Sequence, residues 1–286
     1  MGRLKDEIIR FLEDKGFHCS DDVPEGVCTG LIRTAEPQRW ILPLEITATT
    51  PQEAEAQAME LSEKLEEVKK RIGENPVIIP EDRWRSRPGM MKERLLAHLG
   101  RHSQIYARNC EVRRLEKAEA AAFLHRTHSY GDAACRYRYG LFLKRHTGHV
   151  ALEGPSIVPG DLVAVATFSN ARKWTKGDKI IRSYEWTRYA SLPDIRVSGG
   201  MGKLLKAFIS EVVPDDIMSY ADLEWSEGAV YEQLGFIREG HKSPVCFRIP
   251  TSTWERSIDL TPSGADERFF MNSGSAKFRM KLTEYE

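Results

Sequence analysis

The stretch RVSGGMGKLLKAFIS, Arg196–Ser210, sets Gly199, Gly200 and Gly202 directly before an amphipathic segment. A helix start carries backbone N–H groups with no intrahelical acceptor and the positive end of the macrodipole. Glycines ahead of it let an anion reach the backbone, and phosphates are the usual guests. The amides of Val197, Ser198, Gly199, Gly200, Met201, Gly202 and Lys203 are therefore candidate phosphate ligands. A tight turn that needs glycine is the plain alternative. Further on, AVYEQLGF presents Tyr231, on its own an aromatic that holds its helix to a sheet. Glu185, in SYEWTRY, precedes the glycines and is a candidate general base; pairing with Arg188 or another nearby arginine is its alternative. Asp222 and Glu224, in YADLEW, fall at the carboxyl end of a strand, where α/β sheets collect ligands. With Arg188 they are candidates to orient an amino-bearing substrate. The alternative is that the two acids cap the helix that follows, where Ser226 is an N-cap in its own right. His125, His128, His146 and His149 cluster in sequence, but loop and helix-end histidines are commonly solvated, and no metal is expected.

These residues need elements to hold them. The second part of the chain reads as a helix (LEKAEAAAFLHRTH), three strands (RYRYGLFLK, DLVAVATFS, IIRSYEWTRYA), the glycine helix, a strand (DIMSYADLE), a short helix ending at Gly235 and a strand (PVCFRI). Three consecutive strands suggest an antiparallel meander, and the strand–helix–strand that follows requires a parallel crossover. A late alternating segment, AKFRMKL, suggests an added edge strand. The first part reads as helix, strands, helix, strand, helix. RWILPLEITAT is a strand with Pro43 at an irregular or edge position. Thr50, Pro51 and Glu53 open a helix that runs to about Arg71, with Gly73 beyond it.

The pair VSGGMGKLL and YEQLGF resembles the two signature segments of the GNAT superfamily of acyl-CoA-dependent N-acyltransferases, over about residues 110–250. The resemblance implies that the loop cradles the pyrophosphate of acetyl-CoA or a related acyl-CoA, and that Tyr231 protonates the departing thiolate. It also implies a base on the strand of Glu185. Two departures stand out: Val197 occupies the place of the family's usual Gln or Arg, and Glu224 that of a frequent Asn. The wording of the segments also resembles GNAT-like domains of phage and mobile-element proteins, which adds DNA or a nucleotide to small molecules as an acceptor class. The first part resembles restriction-endonuclease-like domains in element order. Glu45-Ile46-Thr47 would match their Glu-x-Lys, with Thr47 replacing the lysine and Asp21 or Asp22 as the upstream acid. A structural domain or a degenerate nucleic-acid-binding relic is expected over an active nuclease.

The expected fold is α/β with a mixed sheet: a small α/β domain over 1–105 and a GNAT-like domain with a C-terminal extension over 106–286. The function classes then narrow. Equal numbers of basic and acidic residues, 42 of each, disfavour a dedicated nucleic-acid coat or membrane-surface protein but leave room for a local basic face. CRYRYG and ARKWTKGDK are such local runs with aromatics; they suit nucleic acid, but a solvated strand face and a polar hairpin loop are the expected reading. Five scattered cysteines without a C-x-x-C pair indicate a reducing compartment. With no secretory pattern and no membrane-length apolar run, the cytoplasm is expected. The readings are thus an N-acyltransferase, a DNA-acting protein built on the same fold, or a non-catalytic binding protein that keeps it. The oligomeric state is not legible.

Overall fold

The computed structural model describes residues 3–22, 30–145, 157–262, 264 and 266–284. Cys28, His146 and His149 lie outside them. The chain forms two compact units. One comprises the chain through Met91, Ala221–Glu227 and His241–Ala276; the other comprises Lys92–Tyr220, Gly228–Gly240 and the chain from Lys277. The expected division near 105 is displaced because the strand at Ser103–Tyr106 pairs with Ile195–Ser198, within the second unit.

The first unit begins with α1 (Arg3–Asp14), β1 (Cys19–Ser20), β2 (Ile32–Thr34), β3 (Arg39–Leu44), α2 (Pro51–Ile72), β4 (Val77–Pro80), α3 (Glu81–Ser86) and the start of α4 (Pro88–His98). The strands form one sheet in the order β1-β2-β3-β4. The pairs β1·β2 and β2·β3 are antiparallel, while β3·β4 is parallel across the α2 crossover. Pro43 lies in an interior strand, yet β2 pairs only with Arg39–Ile41, so no ladder on that side asks it for an N–H. The α2 start is built as its residues dictate. Thr50 accepts the Glu53 amide, Pro51 occupies the first turn, and Glu53 accepts the Thr49 amide at 2.7 Å. At its end Gly73 adopts φ 81° and donates to the Lys69 carbonyl.

The second unit continues with β5 (Ser103–Tyr106), β6 (Cys110–Arg114), α5 (Lys117–Thr127), β7 (Tyr137–Leu143), β8 (Leu162–Phe168), β9 (Arg172–Lys176), β10 (Lys179–Ser191), β11 (Ile195–Ser198), α6 (Gly200–Val212), β12 (Asp216–Asp222), α7 (Ala229–Gln233) and β13 (Ile237–Lys242). Then come β14 (Cys246–Pro250) and β15 (Glu267–Met271), paired with each other in the first unit, and β16 (Ser275–Lys281). The main sheet runs β13-β16-β12-β10-β8-β7-β6, with β9 on β10. Its mixed character is as expected: β6·β7, β7·β8 and β8·β10 are antiparallel, and β10·β12 is parallel across α6. Two expectations are corrected. The AKFRMKL strand is interior, between β12 and β13, not at the edge. PVCFRI becomes β14 of the first unit, and the exposed β13 takes the edge instead.

One face of this sheet carries α6, whose Leu204, Leu205 and Phe208 are buried at helical spacing. Phe208 stacks on Phe168 with centroids 3.9 Å apart, and Tyr137, Tyr139 and Tyr184 meet it edge-on. Such pairs add about 0.5–1.5 kcal/mol each beyond area burial. Elsewhere, α5 packs Ala120, Phe123 and Leu124 into a core with Leu115, Phe142, Val165 and Ala190. No helix among the described residues is long and apolar enough to cross a membrane.

Candidate active site

The parallel ladder between β10 and β12 is short. Ser183, Tyr184 and Glu185 face Asp216, Ile217 and Met218, while β10 continues to Ser191 against β8 and β12 continues to Asp222. The two strands thus fork after Glu185, beside the crossover that makes α6. At the mouth of the fork a side chain replaces the next rung: the Ser219 hydroxyl lies 3.0 Å from the Trp186 carbonyl oxygen. It also lies 2.9 Å from the Tyr231 hydroxyl of α7.

One serine proton cannot serve both neighbours. When Ser219 donates to the Trp186 carbonyl, Tyr231 donates to Ser219. When the tyrosine oxygen carries charge, Ser219 can turn and donate to it. The two effects on Tyr231 oppose each other: burial raises its pKa, and the Ser219 hydrogen bond partly offsets that. Burial wins, so the phenol stays protonated at neutral pH. Its ring packs against Trp186, Phe236 and Phe278, with centroids 6.2, 5.6 and 5.2 Å away. Tyr231 is therefore packed as a structural aromatic, with its hydroxyl on Ser219.

The glycine loop starts α6, with Gly199 as its N-cap at φ 75°, a left-handed conformation that favours glycine. A side chain at Gly200 would lie 2.9 Å from the Tyr189 hydroxyl and 3.0 Å from Val197, and one at Gly202 would lie 3.3 Å from Leu234. Gly202 is thus where the end of α7 approaches the start of α6, so the loop and the helix of Tyr231 are packed together. Val197 and Ser198 belong to β11, in register with Ile105 and Tyr106. Lys203 donates its amide to the Gly199 carbonyl and its ammonium to the Ala107 and Cys110 carbonyls, at 2.9 and 2.6 Å. The first amides of α6, at Gly200, Met201 and Gly202, have no acceptor within the helix. No acidic residue in the first turn opposes an anion there. This donor set fits a diphosphate.

Glu185 occupies the last rung of the ladder, and its main chain is fixed by Ser169 on both sides: the Glu185 amide donates to the Ser169 hydroxyl and the Ser169 amide to the Glu185 carbonyl. Arg188 donates Nε to the Gly131 carbonyl and Nη1 to the Thr187 carbonyl, at 3.1 and 2.8 Å, rather than to Glu185. Burial lowers the Arg188 pKa, while the charges of Glu185, Tyr130, Asp132 and Cys135 oppose that shift. Asp132, which the sequence did not single out, has Oδ1 buried with no hydrogen-bond partner among the described residues. Glu185, Arg188 and Asp132 thus form one charged cluster. His128 accepts the Tyr130 amide at 3.1 Å, a turn role. Among the described residues no three His, Cys, Asp or Glu side chains gather as metal ligands.

Asp222 and Glu224 belong to the first unit. Asp222 accepts the Glu224 amide at 3.0 Å and the Trp225 and Ser226 amides on its carbonyl. Glu224 is buried with Arg256, which also pairs with Asp82 through two hydrogen bonds of 2.7 and 3.2 Å. The substrate role expected for Glu224 is thereby replaced by a buried ion-pair network, because Arg256 enters from a distant segment. Nor does Ser226 cap α7; Gly228 does. In the same unit Glu45 accepts the Leu4 amide at 3.2 Å, so its carboxylate serves the start of α1.

No protein-family profile and no curated protein sequence matches the chain. Solved structures of similar shape include histone acetyltransferase HPA2 and related acetyltransferase from Corynebacterium glutamicum, at 14% identity over 52% of this chain and 66% of that one, TM-score 0.29. A putative acetyltransferase from Salmonella typhimurium with its cofactor acetyl-CoA is 13% identical over 62% of this chain and 96% of that one, TM-score 0.34. The NatC complex bound to Gag peptide and CoA is 14% identical over 61% of this chain and 99% of that one, TM-score 0.35. Likeness at this level assigns neither substrate nor activity to the chain.

Proposed function

We propose that the chain is a GNAT-like N-acyltransferase that moves an acyl group from acetyl-CoA or a related acyl-CoA to an amine. The observation that carries this reading is the strand fork, with the Tyr231–Ser219 hydroxyl pair at its mouth and α7 packed on the glycine loop. An acyl-CoA would supply the acyl group as a thioester. The amides of Gly200, Met201 and Gly202 would hold its diphosphate at the positive end of α6. Tyr231 is the acid, giving its proton to a departing thiolate, and Ser219 then donates to the phenolate. Glu185 is the base, taking a proton from the amine, with Asp132 and Arg188 setting the charge around it.

The acceptor class is a small-molecule amine, with a nucleic-acid amine as the second candidate. The test is native mass spectrometry of the purified protein with and without added coenzyme A, followed by acetyl-CoA turnover over a panel of amines. Retained coenzyme with turnover supports the transferase. Retained coenzyme without turnover on any amine or on water supports the non-catalytic binding protein.

A further inference from the structure

The ribbon made by β9 and the first residues of β10 has no part in the acyl-transfer reading. Lys179–Arg182 pair with β9 and with no other strand among the described residues, because β12 joins only at Ser183 and β8 only at Trp186. The ribbon therefore extends past the end of the main sheet, and every residue from Arg172 to Ile180 is exposed. The stretch Arg172–Arg182 holds Arg172, Lys173, Lys176, Lys179 and Arg182 against the single acid Asp178, in a chain whose net charge is zero.

The register makes this charge costly. Lys176 stands directly opposite Lys179, and Lys173 directly opposite Arg182. Like charges facing across an antiparallel pair are destabilising. Arg182 is drawn off by Asp215, 3.5 Å away, and by the Val213 carbonyl, and Lys179 reaches the Glu284 carbonyl at 3.4 Å. Lys173, Lys176 and Arg172 remain on the ribbon beside Trp174, an indole 36% exposed. A ribbon that keeps facing cations is matched to an anion it meets from solution.

We infer that this ribbon is a binding arm for double-stranded DNA. A two-stranded ribbon fits the major groove, which is about 12 Å wide. Five residues at about 3.3 Å each give an arm of roughly 17 Å, half a helical turn. Arg172 and Lys176, with Lys179 opposite, lie on one face of the ribbon and Lys173 on the other, so cations flank the arm on both sides and can meet phosphates of both groove walls.

The test is fluorescence anisotropy of a short random-sequence DNA duplex with the full chain, titrated between about 50 and 200 mM salt. With about four phosphates neutralised, log Kobs should fall against log salt with a slope of about −3 to −4, roughly a 100-fold loss across that range. Lys173→Glu combined with Lys176→Glu should weaken binding at least about tenfold at low salt and flatten the slope by about 2. Lys117→Glu combined with Lys206→Glu changes net charge equally at exposed helix positions and should leave most of the binding. Absence of duplex binding at low salt overturns the inference. So does equal loss in both double variants, which would mean net charge alone is at work. Binding to vesicles of phosphatidylserine and phosphatidylcholine as strong as to duplex, and equally sensitive to the ribbon variant, overturns it in favour of an anionic membrane. Coenzyme A binding is unaffected in every arm, so the ribbon and the acyl-transfer reading fail or stand separately.

Discussion

Removing the Tyr231 hydroxyl separates what that residue does for the fold from what it does for chemistry. In Tyr231→Phe the ring keeps its contacts with Trp186, Phe236 and Phe278. One hydrogen bond, to Ser219, is lost. Ser219 keeps the Trp186 carbonyl as acceptor, so no buried donor is orphaned. The stability cost should therefore be that of one ordinary hydrogen bond, about 1 kcal/mol. Loss of a positioned acid should cost roughly 100-fold in turnover, about 2.7 kcal/mol at the transition state. The KM for the acyl donor should be nearly unchanged, because the hydroxyl acts on the leaving sulfur and not on the diphosphate. Urea unfolding gives the first quantity. Acetyl-CoA consumption followed by chromatography gives the second, with slow hydrolysis standing in until an amine is found. Wild-type turnover in a folded Tyr231→Phe protein refutes the acid role and leaves Tyr231 a packing residue.

Three further outcomes follow from the same geometry. Burial raises the Glu224 pKa from 4.5 to about 7, against the charge of Arg256 and helped by Asp222 and Asp82, so its share of stability is complete below about pH 4.5 and is lost as pH rises through 7. Stability should fall as pH rises from about 5 to 8, and chemical denaturation across that range should show Glu224→Gln with a flatter profile. Gly200→Val should destabilise the fold by about 1–3 kcal/mol through overpacking, since its side chain would meet Tyr189 and Val197; an unchanged melting temperature would contradict this. The full chain should not nick supercoiled plasmid with Mg²⁺ or Mn²⁺, because Glu45 holds the α1 start and Thr47 supplies no cation; nicking abolished by Glu45→Ala would show a working nuclease.

Local signals were legible where one segment contains its own reason. Thr50, Pro51, Glu53 and Gly73 mark α2 because capping is decided within a turn. The apolar runs of β7, β8 and β10 mark the meander because each buries its own side chains. The three glycines before a helix are visible in sequence, but the packing of that helix start on the helix of Tyr231 is not, since Gly202 meets Leu234 only in three dimensions. RKWTK carries no apolar alternation, so its sequence reads as a polar loop; it becomes β9 through pairing with β10. The return of His241–Ala276 to the first unit left no local trace. Glu224 looked like a strand-end carboxylate because its partners, Asp82 and Arg256, are far along the chain. Ser219 and Asp132 were missed for the same reason: neither is unusual until Tyr231 and Arg188 are placed beside it.

The central claim is that α6 begins with a diphosphate site beside a strand fork that takes a thioester. Calorimetric titration with coenzyme A tests it most directly, on the wild-type chain and on Met201→Glu. A carboxylate in the first turn favours the helix by about 0.3–1 kcal/mol while opposing an anion at the Gly200–Gly202 amides. Coenzyme A should bind the wild type, pantetheine, which lacks the diphosphate, should bind far more weakly, and Met201→Glu should lose coenzyme A affinity at least about tenfold without losing stability. No binding of coenzyme A to the wild type, or equal affinity in the two proteins, would contradict it.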